Sequence, residues 1–424
     1  MGAAVAFEVA ARRPRFWILL LAIGAIAPVA VYANNGTVPI LMVACLGIPR
    51  PSQALRDARR LLTTPCGLAL IALVVWGLVS TLWAPGGTDA AVRMLKVAAI
   101  MLAGVLFIVA IGQMDSDERR AAGIAFAVAV AGIVVLVVVE IVTGGTPAVA
   151  AKAAQSSRFV YLSDLLGTAA PIVAVLIWPV VTIVRSRSGQ WLWPLLAIAL
   201  VGGVVLLLPL ASGVVAFVLG ALVFGIASLR RGALVAIGVI FGVYVLAAPF
   251  VSAYAINLDT IGESAQAMPT SWQHRLEIWR FTAIKALERP LFGHGFDASR
   301  EIGRAANPVK IWNPDGSGRN FIDSGLPLHP HNAALQIWLE LGLLGIIIVL
   351  SGVLLTLDWI RRCTVSPFSR ATAAAGLTAY LVIALLAYGV WQSWWHAAAW
   401  LMSGAVFLVT KLAAEQKFQN PRVV

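Results

Sequence analysis

Two histidines and an asparagine occupy the stretch Leu328-His329-Pro330-His331-Asn332, just ahead of an apolar run that starts at Ala333. A hydrophobic helix has no packing reason to begin with three such side chains. An imidazole titrates near neutral pH, so it can orient a hydroxyl and accept its proton. His331 is therefore the candidate catalytic residue, with His329 and Asn332 in support. Two histidines two apart in an extended segment share one side, as a metal site would need. No cysteine and no close carboxylate pair completes such a set, so no metal is expected, and Pro330 is read as fixing the turn. Glu340 lies nine residues beyond His331, about 13 Å down a helix at about 1.5 Å per residue. A carboxylate at that depth is paired or functional; pairing is the expectation.

The other side chains fit for chemistry are cations. Thr270 reads as the N-cap of a helix, with Gln273 completing a capping box. Trp272, Leu276, Trp279, Ala283 and Leu287 then form one apolar stripe, with Gln273, Glu277, Arg280, Lys285 and Glu288 opposite. A tryptophan-rich amphipathic helix of this kind is expected to lie along a membrane interface. Arg275 falls at the edge of the stripe, where it either faces a phosphate or snorkels. Arg289-Pro290 ends the helix, and Gly293-His294-Gly295 follows as a tight loop. Two shorter loops bring Arg93 with Lys96, and Lys152 with Arg158. Guanidinium groups carry a permanent charge and a planar donor fork suited to phosphates. The order of preference for an anionic ligand is Arg275, Arg158, then Arg93 and Lys96.

The elements that must position these groups are membrane helices. The 424 residues are 60% hydrophobic and only 12% charged, with a mean hydropathy of +0.89. Soluble domains carry about 25% charged residues. Apolar runs predict about twelve transmembrane helices, near 16–33, 38–48, 66–83, 97–113, 121–143, 162–184, 191–210, 213–229, 233–251, 334–357, 371–391 and 396–410. The first run is read as a retained span and not a cleaved leader. The chain divides into residues 1–251 with the first nine spans, a loop domain at 252–333 and residues 334–424 with the last three spans and a tail.

Alternating the sides from a cytoplasmic N-terminus collects most arginines and lysines in short cytoplasmic loops, as the positive-inside rule expects. The formal net charge of +12 is then topogenic, and no nucleic-acid partner is needed. The same alternation puts the long loop and all five histidines on the outer face, with both termini cytoplasmic. Cys45, Cys66 and Cys363 lie in or beside spans, so no disulfide framework is expected. The sequence holds no Walker, Rossmann or kinase motif.

With these pieces placed, the chain resembles the O-antigen ligase and polymerase family of bacterial envelope glycosyltransferases. The resemblance rests on Arg275-Leu276-Glu277-Ile278-Trp279, Pro290-Leu291-Phe292-Gly293-His294-Gly295, His329-Pro330-His331-Asn332 with Leu335-Gln336, and Glu340-Leu341-Gly342-Leu343-Leu344-Gly345. Family members often carry Ser-Arg where this chain has Ser212-Gly213; Arg158 is the candidate to replace that arginine.

The resemblance implies an all-α polytopic membrane glycosyltransferase of the GT-C-like kind in the bacterial inner membrane, with a helical periplasmic loop and a periplasmic active site. It implies transfer of a glycan from undecaprenyl pyrophosphate to a sugar hydroxyl of lipid A–core, inverting the anomeric carbon, without nucleotide sugar, metal or other cofactor. His331 falls at the family's His-Asn position. Arg275, Arg158, Arg93 and Lys96 would hold the donor pyrophosphate, with His329, Asn332, Glu340 and His294 supporting. An O-antigen polymerase and a protein O-oligosaccharyltransferase share the fold and the histidine motif. A non-enzymatic alternative is a transporter of a lipid-linked anion. Such a transporter should show broken helices paired between two halves, whereas the sequence has a single asymmetric loop.

Overall fold

The computed structural model describes residues 14–153, 167–208, 210–256, 258, 267–306, 309–312, 319–322, 328–364 and 366–419. The first half contains α1 (Pro14–Gly24), α2 (Ile26–Tyr32), α3 (Thr37–Leu46), α4 (Pro51–Leu62), α5 (Pro65–Ser80), α6 (Gly87–Gln113), α7 (Ser116–Val142) and α8 (Thr146–Ala153). Next come α9 (Ala169–Ser188), α10 (Leu192–Leu207), α11 (Ala211–Leu229), α12 (Ala233–Tyr254), α13 (Thr270–Glu288) and α14 (Ala298–Arg304). The strands β1 (Val309–Trp312) and β2 (Arg319–Ile322) precede α15 (Ala333–Cys363), α16 (Pro367–Leu386) and α17 (Ser393–Gln419).

Among the described residues ten helices are long and apolar enough to cross a membrane, or up to eleven if a bent pair counts as one span. The protein is a multi-pass membrane protein built from helices. Two of the twelve expected spans fall short. The run at 38–48 is the ten-residue α3, which meets α4 at a bend of 118°. Gly47 closes α3 and Pro51 opens α4 at its first turn, where a missing N–H costs nothing. The run at 191–210 yields the 16-residue α10.

Local chemistry sets the helix ends. Asp115 and Glu118 form a reciprocal capping box on α7, and Ser366 with Ser369 does the same on α16. The Thr64 side chain accepts from Gly67 at the start of α5. Within the bundle α16 buries Ala371, Ala373, Ala374, Ala375 and Ala379 and packs closely on α11. Small residues let helices approach where lipid offers no hydrophobic drive. Arg370 is buried and donates to the terminal carbonyls of α11, Ala227 at 2.8 Å and Ser228 at 3.2 Å. The buried Glu140 accepts from the Tyr32 hydroxyl at 2.8 Å.

The loop domain departs from an all-helical reading in its short antiparallel pair, with Val309 opposite Ile322. The proposed capping box at Thr270 does not form. Pro269 is the N-cap, and the fully buried Gln273 donates to Met268 O while pairing with the backbone of Trp312. A strand that needs backbone partners has drawn this side chain away from the helix end. The buried line of α13 runs through Gln273, Ile278, Thr282, Ala283 and Ala286. It is rotated from the tryptophan stripe because α13 packs against α12, α15 and β1.

The most unusual backbone lies in α15, which is broken at Gly342 (φ 65, ψ −165). Leu343 and Leu344 donate to Pro290 O at 2.8 Å and Leu291 O at 3.2 Å. In return, the carbonyls of Leu339 and Glu340 accept from His294 N at 2.8 Å and Gly295 N at 2.9 Å. Trp76 Nε1 takes the Leu341 carbonyl at 3.0 Å. Every backbone group the break releases at these positions is thus paired, as irregular backbone inside a membrane protein requires. A Cβ on Gly342 would come within 2.5 Å of Leu291 C and O, and one on Gly293 within 2.5 Å of Glu340 C and O. The two glycine-bearing motifs are halves of one interlock.

Candidate active site

The interlock supports a cluster where the start of α15, the end of α16, the start of α17 and the first turns of α6 converge. Asn332 caps α15: its Oδ1 accepts from Leu335 N at 3.2 Å and its Nδ2 donates to Tyr244 OH at 2.8 Å. Trp279 Nε1 donates to Pro330 O at 3.0 Å, pinning the turn from α13. His331 then sits in the left-handed region at φ 54, a conformation that histidine adopts more readily than most residues but that still costs about 1 kcal/mol or more.

That strained backbone aims the His331 ring at the end of α16. Its Nδ1 lies 2.5 Å from Ala387 O. A carbonyl only accepts, so Nδ1 carries the proton and Nε2 keeps its lone pair. Arg275 donates to the adjacent Leu386 O at 2.8 Å, with its guanidinium 5.7 Å over the Trp272 ring. Burial lowers the His331 pKa, as do Arg275 and His274, against the opposing bond to Ala387. His331 is therefore neutral at neutral pH and able to accept a proton.

The His329 ring packs against that of His331 at a tilt, with centroids 4.4 Å apart and planes inclined at 53°. It also lines a cavity of about 310 Å³ with Arg93, Lys96, Asp297, Arg300 and Trp391. Asp297, itself at φ 59, pairs with Arg93 and with Arg300 Nε at 3.1 Å. Three cations face one carboxylate, which leaves room for an anion.

Behind the cavity the fully buried Glu340 carboxylate accepts from Asp297 N at 2.9 Å, Ser299 Oγ at 2.6 Å, Gln336 Nε2 at 3.1 Å and the Trp391 indole. Gln336 Oε1 accepts from Val390 N at 2.9 Å. Glu340 thus fixes both the Asp297 loop and the loop after α16.

Of the residues singled out from sequence, His329, His331, Asn332 and Arg275 come together, and Arg93 with Lys96 lies across His329. Glu340 is the paired carboxylate it was expected to be. His294 stands apart: its ring Nε2 bonds Lys285 O at 2.8 Å while its backbone clasps Leu339. Arg158 lies outside the described residues. Sequence reasoning missed Arg300 and Asp297, which no motif marks, and Trp391, which was assigned to the end of a span. The signal for Asp297 and Arg300 was proximity to Gly293-x-Gly295, legible only once that loop is known to lock onto α15.

Residues 196–350 match the family model described as O-antigen ligase. That match takes in Arg275, Asp297, Arg300, both histidines and Glu340, and ends before α16. A provisionally named polysaccharide ligase of Rickettsia prowazekii (strain Madrid E) is 38% identical over 159 residues, which cover 38% of this chain and 36% of that protein. A counterpart in Rickettsia typhi, named in the same way, is 36% identical over 154 residues, covering 36% and 35%. The matched stretch spans about a third of the length of these curated relatives.

Proposed function

We propose that this chain, whose residues 196–350 match an O-antigen ligase domain, is a membrane glycosyltransferase that moves a polysaccharide from undecaprenyl pyrophosphate to a sugar hydroxyl of lipid A–core. The reaction takes place at the periplasmic face of the bacterial inner membrane. The observation that carries the reading is the hydrogen bond from His331 Nδ1 to Ala387 O, which leaves Nε2 as a base on a ring 4.4 Å from that of the cavity-lining His329.

The acceptor oxygen attacks the anomeric carbon of the donor's linking sugar. A new C–O bond forms as the bond to the pyrophosphate oxygen breaks, and the configuration inverts. The hydroxyl proton passes to His331 Nε2, a contribution typically worth about 10²–10⁴ in rate. The pyrophosphate leaves with the electron pair, and its charge is met by Arg93, Lys96 and Arg300 with Arg275 nearby. Preorganised donors of this kind are each worth roughly 10²–10³. The leaving group already activates the donor, so the reading requires no nucleotide.

The test is reconstitution of the purified protein with a lipid-pyrophosphate glycan and three acceptor conditions: lipid A–core, a second donor molecule, and none. Glycan on lipid A–core, lost in His331→Ala, supports the ligase. Glycan lengthening on the carrier lipid makes the protein a polymerase instead. Transfer in no condition overturns the enzymatic reading in favour of a lipid-linked anion transporter.

A further inference from the structure

The two neighbouring histidines face different surroundings. His331 is tied through Nδ1 to Ala387 O, on the side of Arg275. His329 faces the cavity of Arg93, Lys96 and Arg300, and its buried Nε2 has no hydrogen-bond partner among the described residues. The ring is not loosely placed. Gly389 packs against it so closely that a Cβ there would come within 2.8 Å of His329 Cγ, and Gly389 belongs to the loop that Gln336 and Glu340 hold. The ring borders a cation-lined cavity while its Nε2, closed to solvent, lacks a partner, and an unsatisfied polar group of this kind calls for an explanation.

We propose that His329 is a direct contact to the leaving pyrophosphate: its ring N–H donates to a phosphate oxygen, and its packing against His331 sets the distance between leaving group and base. The proposal rests on the glycosyl-transfer reading above and divides the histidine pair by task, His331 serving the acceptor and His329 the donor. His329 makes and breaks no covalent bond. Burial first, then His331 and Arg300, hold its pKa down to about 3. The empty-site ring is thus neutral, with one N–H to give.

The experiment measures binding of inorganic pyrophosphate and of undecaprenyl pyrophosphate to the full-length protein in nanodiscs, without turnover, and then donor and acceptor KM in the transfer assay. His329→Leu is expected to weaken both ligands roughly tenfold or more, as for loss of a hydrogen bond to a charged group. It should raise donor KM and leave acceptor KM unchanged. His329→Gln, which retains an N–H donor, should restore most of the affinity, and His331→Ala should bind pyrophosphate as the wild type does. Wild-type affinity in His329→Leu, or an equal loss in His331→Ala, overturns the proposal while leaving glycosyl transfer intact. A wild-type protein that binds neither ligand and transfers nothing overturns both readings.

Discussion

The carboxylate of Glu340 accepts the backbone N–H of Asp297 at 2.9 Å across 43 residues of chain, while the Asp297 carboxylate receives Arg93 and Arg300. A fully buried acid thus controls the placement of two cations it does not touch. Among the described residues the hydrogen-bond partners of the Glu340 carboxylate are all donors: Asp297 N, Ser299, Gln336 Nε2 and the Trp391 indole. Glu340→Gln would turn an NH₂ towards those donors and leave some unpaired. Leaving a buried donor without an acceptor costs about 1–3 kcal/mol. The expected outcome is a lower Tm together with a raised donor KM, read by thermal unfolding and transfer kinetics.

The interlock between α15 and the 290–295 loop makes a sharper structural prediction. Gly342→Ala and Gly293→Ala each place a Cβ 2.5 Å from backbone atoms at positive φ. Each should destabilise by about 2 kcal/mol or more, since neither backbone can yield cheaply. Gly203→Ala, in a helix with nothing within 4 Å of the added Cβ, should not lower Tm, since alanine is the better helix former. Loss of folded protein from both interlock variants and not from Gly203→Ala is the outcome to check by size-exclusion and thermal shift.

Arg275 holds Leu386 O at 2.8 Å and lies over Trp272. Lysine reproduces its charge but neither its planar fork nor its stacking. Arg275→Lys should therefore lose roughly tenfold or more in kcat/KM, while a substitution of equal size at the exposed Arg187 changes little. Steady-state kinetics on the same reconstituted preparation decides this.

The histidine pair predicts the response to acid. A base must be neutral to work, and the pKa of His331 is lowered from 6.5, so kcat/KM should be flat from pH 8 to neutrality and fall only in acid. Stability has the same sign. His329 is held to about 3 in the folded protein against 6.5, so the unfolded chain binds a proton that the folded chain does not. Stability is full above 6.5 and is lost as pH falls from 6.5 towards 3. His329→Leu should reduce the drop in Tm between pH 7.5 and pH 5.

Much of this arrangement is legible in the sequence, but unevenly. The His-x-His-Asn turn and the Arg275 helix are local signals, and the structure sets both at the end of α16. The paired glycine motifs are visible as motifs, yet their shared purpose depends on two segments some fifty residues apart trading backbone hydrogen bonds. Gln273 looked like a capping residue because a capping box is a four-residue pattern; its actual partner is Trp312, 39 residues away. The apolar run at 38–48 reads as a span, since hydropathy does not record the turn that Gly47 and Pro51 impose. Arg300 carries no motif and acquires meaning only beside Arg93.

The break at Gly342 also has a mechanical consequence. Leu343 and Leu344 hang from Pro290 and Leu291 and not from the turn above them. An axial load on the long lower part of α15 therefore passes into the 290–295 loop before it reaches the segment that begins at Asn332. The same loop bonds the carbonyls of Leu339 and Glu340, so it clamps both sides of the break and ties the long membrane anchor to the segment that carries the histidine turn.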